Sequence, residues 1–184
     1  MRDKTLWMTY NGIGIALFAA LTLCLQVPVF ENYYLCLGYA VMMVYCSRFG
    51  GTSGALVGSL GVVVYCLVTS GLRGMPGWVL GNILIGLVMG VGFATARRIH
   101  SPLAAGALLT LLCVVSAALG ILGVKSLTES LLYSQPLPLR MTKNSYAFVA
   151  DAVMMAVSLP LCRMFGLKKA AAGSRADVYG AKWR

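Results

Sequence analysis

A few polar and aromatic side chains stand inside stretches of sequence that are otherwise almost entirely apolar. Asp151 lies in such a stretch, and Asn144 and Ser158 share its helix face because they lie seven residues to either side. Trp78 and Asn82 are four residues apart and share a face of another helix. A carboxylate, an amide and an indole can hydrogen-bond to a small polar molecule and stack against it. We therefore expect these residues to face a cavity or a partner.

The surrounding composition is that of an integral membrane protein. Of the 184 residues, 59% are hydrophobic and 11% are charged, whereas soluble domains carry about 25% charged residues. The apolar runs lie at residues 5–30, 32–47, 49–72, 74–96, 99–124 and 144–162. A bilayer core about 30 Å thick requires about 20 apolar residues. We therefore predict an all-α integral membrane protein, a bundle of six transmembrane helices of which the second is short or tilted.

The distribution of lysine and arginine predicts the orientation in the membrane. With the amino terminus inside, eleven of these residues fall in cytoplasmic segments. The outer segments hold only four, which are Arg73, Lys125, Arg140 and Lys143. This bias follows the positive-inside rule, so we predict that both termini are cytoplasmic. The net charge of +10 then reflects topology and attraction to anionic lipid in the bilayer, and we expect no binding to nucleic acid.

The chain divides into a membrane domain and a tail. Residues 1–166 are predicted to form the six-helix transmembrane domain, and residues 167–184 a basic cytoplasmic tail. The tail has no apolar periodicity, so we expect it to be disordered. A signal peptide is the competing interpretation of the first run, because Arg2 and Lys4 precede it. No small-x-small cleavage site follows that run, which favours a retained helix.

Polar residues concentrate on the predicted outer side and form a candidate substrate-binding site. The set comprises Gln26, Glu31, Asn32, Arg73, Trp78, Asn82, Lys143, Asn144 and Asp151. The long segment at residues 125–146 would form an outer loop above them and act as a lid. This concentration favours a pocket open to the exterior. In the alternative interpretation, Asp151 pairs with Arg73 or Lys143, and Trp78 anchors its helix at the membrane interface.

Small residues recur at helical spacing. Gly12, Ala16 and Ala20 make a smooth face on the first helix, along which another helix can approach closely. Further glycines at positions 50, 54 and 58 in the third helix, and 77, 81, 86 and 90 in the fourth, are expected to let the helices pack against each other. The face on the first helix is open to two interpretations, packing inside the bundle or docking on a partner.

Catalytic, metal and nucleotide motifs are weak or absent. The stretch GTSG at residues 51–54 is similar to the Gly-x-Ser-Gly nucleophile of intramembrane serine proteases. Ser53 would need a base within hydrogen-bond reach, but the only histidine in the sequence, His100, falls in a predicted cytoplasmic loop. The six cysteines form no Cys-x-x-Cys pair, so we expect packing residues and no metal site. No phosphate-binding Gly-x-x-x-x-Gly-Lys-Ser/Thr loop occurs, so any nucleotide must be bound by another protein.

The chain resembles a family of transporter subunits. The segment ALFAA at residues 16–20 ahead of an outer loop with Pro28, the third helix GGTSGALVGSLG and the fourth helix PGWVLGNILIGLVMG are similar to the substrate-binding S component of energy-coupling factor (ECF) transporters. The similarity extends over about residues 4–165. It implies a multi-pass protein of a prokaryotic plasma membrane that captures a vitamin-like solute near the outer face. It implies neither enzymatic activity nor a cofactor bound by this chain.

The same resemblance implies partners. A transmembrane T component and two cytoplasmic ATPases, which use ATP, would drive release of the solute inward. Ala16 and Ala20, with Gly12 one turn earlier, match the family's Ala-x-x-x-Ala face that docks on the T component. No motif identifies the ligand, although a pyridoxine-like or pyrimidine-like vitamin would suit stacking on Trp78. A stand-alone small channel or secondary transporter is the alternative function, and an intramembrane serine hydrolase using Ser53 is a remote one.

Overall fold

The computed structural model describes residues 2–24, 27–30 and 33–165, which form a bundle of helices with one small hairpin. The helices are α1 (Arg2–Cys24), α2 (Gly38–Phe49), α3 (Gly51–Thr69), α4 (Met75–Ala96), α5 (Pro102–Ala117), α6 (Ser126–Tyr133) and α7 (Leu137–Phe165). A π-helical segment, Ala118–Lys125, joins α5 to α6 without a break. Strands β1 (Val27–Phe30) and β2 (Tyr33–Leu35) pair in antiparallel orientation between α1 and α2.

Five helical rods are long and apolar enough to cross a membrane. They are α1, α3, α4, the continuous rod Pro102–Tyr133, and α7. The helix α2 has only 12 residues, which corresponds to about 18 Å and falls short of a bilayer core of about 30 Å. Its side chains Tyr39, Met42 and Met43 are fully buried among the other helices. The described chain therefore contains the six predicted helical segments, of which five reach spanning length and the second is short and buried.

The predicted long outer loop at residues 125–146 is wrong. The helix α6 continues to Tyr133 and α7 begins at Leu137, so only residues 134–136 connect them. Ser134 ends α6 in the left-handed conformation with φ 50°. Pro138 stands in the first turn of α7, where a missing backbone N–H costs no intrahelical hydrogen bond. The apolar run ends before the helix does. Polar side chains change the surroundings that a helix can face, but its backbone remains helical.

The hairpin replaces the loop that was predicted between α1 and α2, and all other described elements are helical as predicted. Val27 pairs with Leu35, and Phe30 pairs with Tyr33. Valine, phenylalanine and tyrosine favour the pleated backbone, which explains a strand pair here. Three predicted site residues, Gln26, Glu31 and Asn32, lie outside the described residues. The predicted tail at residues 167–184 also lies outside them.

The two ends of the bundle differ in their chemistry. One end carries the hairpin, the turn between α3 and α4, and residues 134–136, and we call it the hairpin end. The opposite end, which we call the arginine end, carries Arg48, Arg97, Arg98 and Arg163. At that end the Arg97 guanidinium donates a hydrogen bond to the Ser47 carbonyl and so connects α4 to α2. The positive-inside rule predicts that the arginine end faces the cytoplasm and that the hairpin end faces the exterior.

The helices α3 and α4 pack backbone against backbone. A Cβ atom on Gly90 would lie 2.2 Å from the Cα atom of Gly51, and a Cβ atom on Gly86 would lie 2.5 Å from the backbone nitrogen of Ala55. Only glycine permits an approach this close, because any side chain would overlap the neighbouring backbone. The predicted packing role of the glycines is confirmed at this contact.

Gly90→Ala is expected to destabilise the bundle, because the added methyl group overlaps the backbone at Gly51. Overfilling a close-packed interior costs about 1–3 kcal/mol. Thermal unfolding of the purified protein in detergent should therefore show a lower midpoint. Gly12→Ala is the matched control, since no atom lies within 4 Å of a Cβ at that position. Equal midpoints for the two variants would contradict the close contact between α3 and α4.

Candidate functional site

The Tyr39 hydroxyl connects three helices at a buried point in the hairpin half of the bundle. Trp78 Nε1 donates a hydrogen bond to this hydroxyl over 3.0 Å, and the hydroxyl donates to Asn82 Oδ1 over 2.7 Å. Asn82 Nδ2 in turn donates to the Gly58 carbonyl over 2.9 Å. Tyr39 and Asn82 are fully buried, so their polar groups must find partners inside the protein. Trp78 and Asn82 share a helix face as predicted, since both contact the same hydroxyl.

Asp151 brings a carboxyl group from α7 to the same hydroxyl. Its side chain is 5% exposed, interacts with the Tyr39 hydroxyl and lies near Lys125. Within the described ranges Asp151 forms no ion pair, so the alternative in which it pairs with Arg73 or Lys143 has no support there. A carboxyl group buried without a paired cation is costly, and such groups are typical of functional sites in membrane proteins.

Lys125 lies across from Asp151 at the end of the π-helical segment. Its ammonium nitrogen is 5.8 Å from the centre of the Trp78 ring, which is within the range of a cation–π contact. Tyr65 packs edge-on against the same indole, with ring centres 5.6 Å apart. A Cβ atom on Gly77 would lie 2.9 Å from the Lys125 carbonyl oxygen, so this glycine lets the π-helical segment lie directly on α4. Segments of this kind occur frequently at functional sites.

Asn144 belongs to a second polar cluster, which lies nearer to the hairpin-end surface. Its Nδ2 donates to Ser126 Oγ over 3.0 Å and to Glu129 Oε2 over 3.2 Å. Arg140 forms an ion pair with Glu129, with the two charged atoms 3.5 Å apart. Glu129 is only 4% exposed, and a buried carboxylate requires compensation of this kind. The cluster joins α6 to α7 and supports the wall of the bundle from which Lys125 projects.

Arg73 and Lys143 lie at the rim of the hairpin end. The Arg73 guanidinium is 5.2 Å from the ring centre of Tyr133, whose hydroxyl donates to the Arg73 carbonyl. Lys143 is exposed to the surroundings. Of the predicted substrate-binding residues, the structure therefore brings together Trp78, Asn82 and Asp151. It places Asn144 in the adjacent cluster.

Tyr39, Lys125 and Glu129 are residues of these clusters that the sequence prediction misses. Tyr39 is one of several tyrosines near the ends of the second apolar run, and nothing in its neighbourhood distinguishes it. Lys125 and Glu129 fall in the segment expected to be a loop. One pattern does indicate that Lys125 and Glu129 lie together on a helix. Lys125, Glu129 and Tyr133 recur every four residues and therefore share a helix face.

The face of α1 formed by Gly12, Ala16 and Ala20 points away from the bundle. All three residues are exposed, and no atom of residues 2–24, 27–30 or 33–165 lies within 4 Å of a Cβ placed on Gly12. The opposite face of α1 is the one that packs inside, where Phe18 is fully buried. A Cβ atom on Gly61 of α3 would lie 2.5 Å from the Phe18 ring. Of the two directions that the sequence left open, the structure therefore shows the outward one.

The hydrolase hypothesis finds no catalytic geometry in the described residues. Ser53 Oγ is buried and has no hydrogen-bond partner there, while His100 is exposed in the connection between α4 and α5. A serine nucleophile needs a base within hydrogen-bond reach. The same ranges contain no group of three His, Cys, Asp or Glu side chains that is able to hold a metal ion.

The cysteines are free thiols, and five of the six are buried. The buried ones are Cys36, Cys46, Cys66, Cys113 and Cys162, as expected for packing residues, whereas Cys24 is exposed. Cys36 lies between β2 and α2, next to the site. Burial, together with the nearby Asp151 carboxyl group, raises the pKa of the Cys36 thiol to about 12. The thiol is therefore neutral at pH 7 and adds no charge to the site.

Comparison with known proteins covers nearly the whole chain. Residues 2–166 match the family model described as ECF-type riboflavin transporter, S component. A UPF0397 protein of Vibrio atlanticus (strain LGP32) is 30% identical over 151 residues, which are 79% of this chain and 82% of that protein.

A UPF0397 protein of Lactococcus lactis subsp. cremoris (strain MG1363) is 38% identical over 85 residues, which are 45% of this chain. The match spans less than half of that relative, 45% of its length. No solved structure matches the chain.

Proposed function

The chain belongs to the family of the S component of ECF-type riboflavin transporters, and from this we propose that it is the substrate-binding subunit of an ATP-driven micronutrient importer. In this proposal the chain captures a small vitamin-like solute at the outer face of the membrane. It then transfers the solute to a T component that works with two cytoplasmic ATPases. The family is one of transporter subunits and not of enzymes.

The arrangement around the Tyr39 hydroxyl is the observation that carries this proposal. A carboxyl group, an ammonium group and an indole ring border one region, and the carboxyl and ammonium groups are not joined by an ion pair. A solute that lies between Asp151 and Lys125 would hydrogen-bond to both and stack on Trp78. Binding would therefore place hydrogen-bonding groups of the solute between a carboxyl group and an ammonium group that form no ion pair with each other.

The geometry favours a small planar solute with hydrogen-bond donors and acceptors on its edge. The Trp78 ring offers a stacking surface, while Tyr39 and Asn82 hold the indole in a fixed orientation. A pyridoxine-like or pyrimidine-like vitamin has this chemistry, and so has the isoalloxazine ring of riboflavin, the solute in the family's name. The hairpin and the surface residues Arg73 and Lys143 would then form the entrance.

Asp151→Asn is expected to weaken solute binding by about tenfold or more, because it removes a charge-assisted hydrogen bond worth about 1.5–3 kcal/mol and keeps the shape of the side chain. The measurement is a titration of the purified protein with riboflavin, followed by a panel of other water-soluble vitamins. The dissociation constants of the variant and the wild type are compared for whichever solute binds.

Ser158→Ala is the matched control for this substitution. Ser158 is buried on the same face of α7, two helical turns further from the hairpin end, and its hydroxyl donates to the Met155 carbonyl. We expect this variant to bind as the wild type does. An unchanged dissociation constant in folded Asp151→Asn protein would show that the carboxyl group only supports the structure.

The exposed face of α1 supports docking on a T component. Interfaces between membrane helices use small residues, because these let two backbones come close. Gly12, Ala16 and Ala20 provide such a face on a helix of 23 residues, and none of them is buried by the other described residues. A partner helix lying along this face would lie on the side of α1 opposite Phe18, whose ring packs edge-on against Tyr39 with ring centres 6.1 Å apart. The hydrogen bonds around the Tyr39 hydroxyl are made by α2, α3 and α4, so they do not depend on the exposed face of α1.

Ala16→Trp is expected to separate uptake from binding. The indole would occupy the space that a partner helix needs, so co-purification with the T component and the ATPases, and solute uptake by cells, should both be lost. Solute binding by the isolated variant should stay near the wild-type value. A variant that still assembles and transports would contradict docking through this face.

Ala107→Trp serves as the control for bulk on an exposed surface. Ala107 is exposed on α5, on a different helix from the docking face. The same enlargement at this position should leave assembly, binding and uptake unchanged. Loss of assembly in both tryptophan variants would show a general effect of an added ring and would remove the argument for α1.

A further inference from the structure

An apolar groove runs between α4 and α5 on the outside of the bundle, away from the site described above. Its volume is about 490 Å³, and it is lined by Leu87, Val88, Val91, Gly92, Thr95, Leu108 and Leu112. From Leu87 to Thr95 the groove follows two turns of α4, about 12 Å along the helix axis. Val91 is 68% exposed, so its side chain contributes to the wall of an open groove and not to the core.

The groove ends at the arginine end of the bundle. Thr95 lines it one residue before α4 ends at Ala96. The backbone N–H of Arg98 donates to the Thr95 carbonyl over 2.9 Å, which places Arg98 directly beyond the mouth of the groove. His100, also exposed, follows in the same connection to α5. An apolar channel therefore opens beside a cationic side chain at the level where lipid headgroups lie.

The neighbouring residues Arg97 and Arg98 differ in their contacts. Arg97 points back to the bundle, where its guanidinium donates to the Ser47 carbonyl at the end of α2. Burial, with Arg48 close by, lowers the pKa of Arg97. Arg98 is exposed and forms no ion pair within the described part of the chain. Of the two arginines in the connection between α4 and α5, Arg98 is therefore the one that remains available to an external anion.

We propose that this groove binds one anionic phospholipid, with an acyl chain along α4 and α5 and the phosphate headgroup against Arg98. Apolar walls suit the chain, and basic pockets between transmembrane helices are known to select acidic headgroups. The occupant is a lipid and not a helix, because a volume of about 490 Å³ over a length of about 12 Å is too narrow for a helix, which with its side chains is about 10–12 Å across. The site is separate from the solute site, so it holds whether or not the proposed transport function is correct.

Native mass spectrometry of the purified protein with added lipid tests this inference. Phosphatidylglycerol and phosphatidylcholine with identical acyl chains are the probes. The wild type should retain one phosphatidylglycerol in preference to phosphatidylcholine. Arg98→Gln should reduce the affinity for phosphatidylglycerol by about fivefold and abolish the preference, because one basic residue near the headgroup is removed. Equal binding of the two lipids to the wild type would overturn the proposal.

Two controls locate the lipid. Arg48→Gln removes an exposed charge from the same end, outside α4 and α5, and should keep the preference for phosphatidylglycerol. An equal loss in both arginine variants would indicate diffuse surface charge and overturn the site.

Val91→Trp fills the groove and should abolish the retained lipid, whereas Val157→Trp, at a position 63% exposed on α7, should not. Full lipid binding by Val91→Trp would overturn the groove. All four side chains are exposed, and thermal unfolding verifies that each variant is folded.

Discussion

The need to bury polar groups inside an apolar bundle is the constraint on which the site depends. Asn82, Trp78 and Asp151 would each lose hydrogen bonds to water on entering the membrane, at a cost of roughly 1–3 kcal/mol per unsatisfied group. The Tyr39 hydroxyl compensates for most of this cost. It accepts a hydrogen bond from the Trp78 indole, donates one to the Asn82 amide and lies against the Asp151 carboxyl group. These groups constrain each other, so the hydrogen bonds of the protein itself hold the side chains of the candidate site in place.

The backbone of the bundle is arranged to bring these side chains together. The short helix α2 lies among longer ones, and its first turn places Tyr39 in the interior of the bundle. Glycines on α4 let both α3 and the π-helical segment lie close to it, so Asn82 reaches the Gly58 carbonyl and Trp78 meets Lys125. The small residues on α1 form an outward face that the other described residues do not bury.

Much of this architecture follows from patterns that are visible in the sequence. Apolar runs between charges predict the spanning helices, and the short second run predicts the short α2. Four-residue spacing predicts that Trp78 and Asn82 act together. Residue spacing does not predict contacts between helices that are distant in sequence. Tyr39 is 43 residues from Asn82, so spacing gives no indication of their hydrogen bond. The continuation of the rod Pro102–Tyr133 beyond the apolar run is missed for another reason. The side chains at its end are polar, which resembles a loop in sequence although the helical backbone is unbroken.

The account predicts that the protein holds one small solute in its hairpin half. Native mass spectrometry of the chain, purified in mild detergent from cells grown in rich medium, tests this most directly. The spectrum should contain the protein together with a species heavier by the mass of one small molecule, and that molecule should be released on collisional activation and identified by its fragments. A spectrum that shows only the bare chain and its lipids, even after water-soluble vitamins are added, would contradict the account.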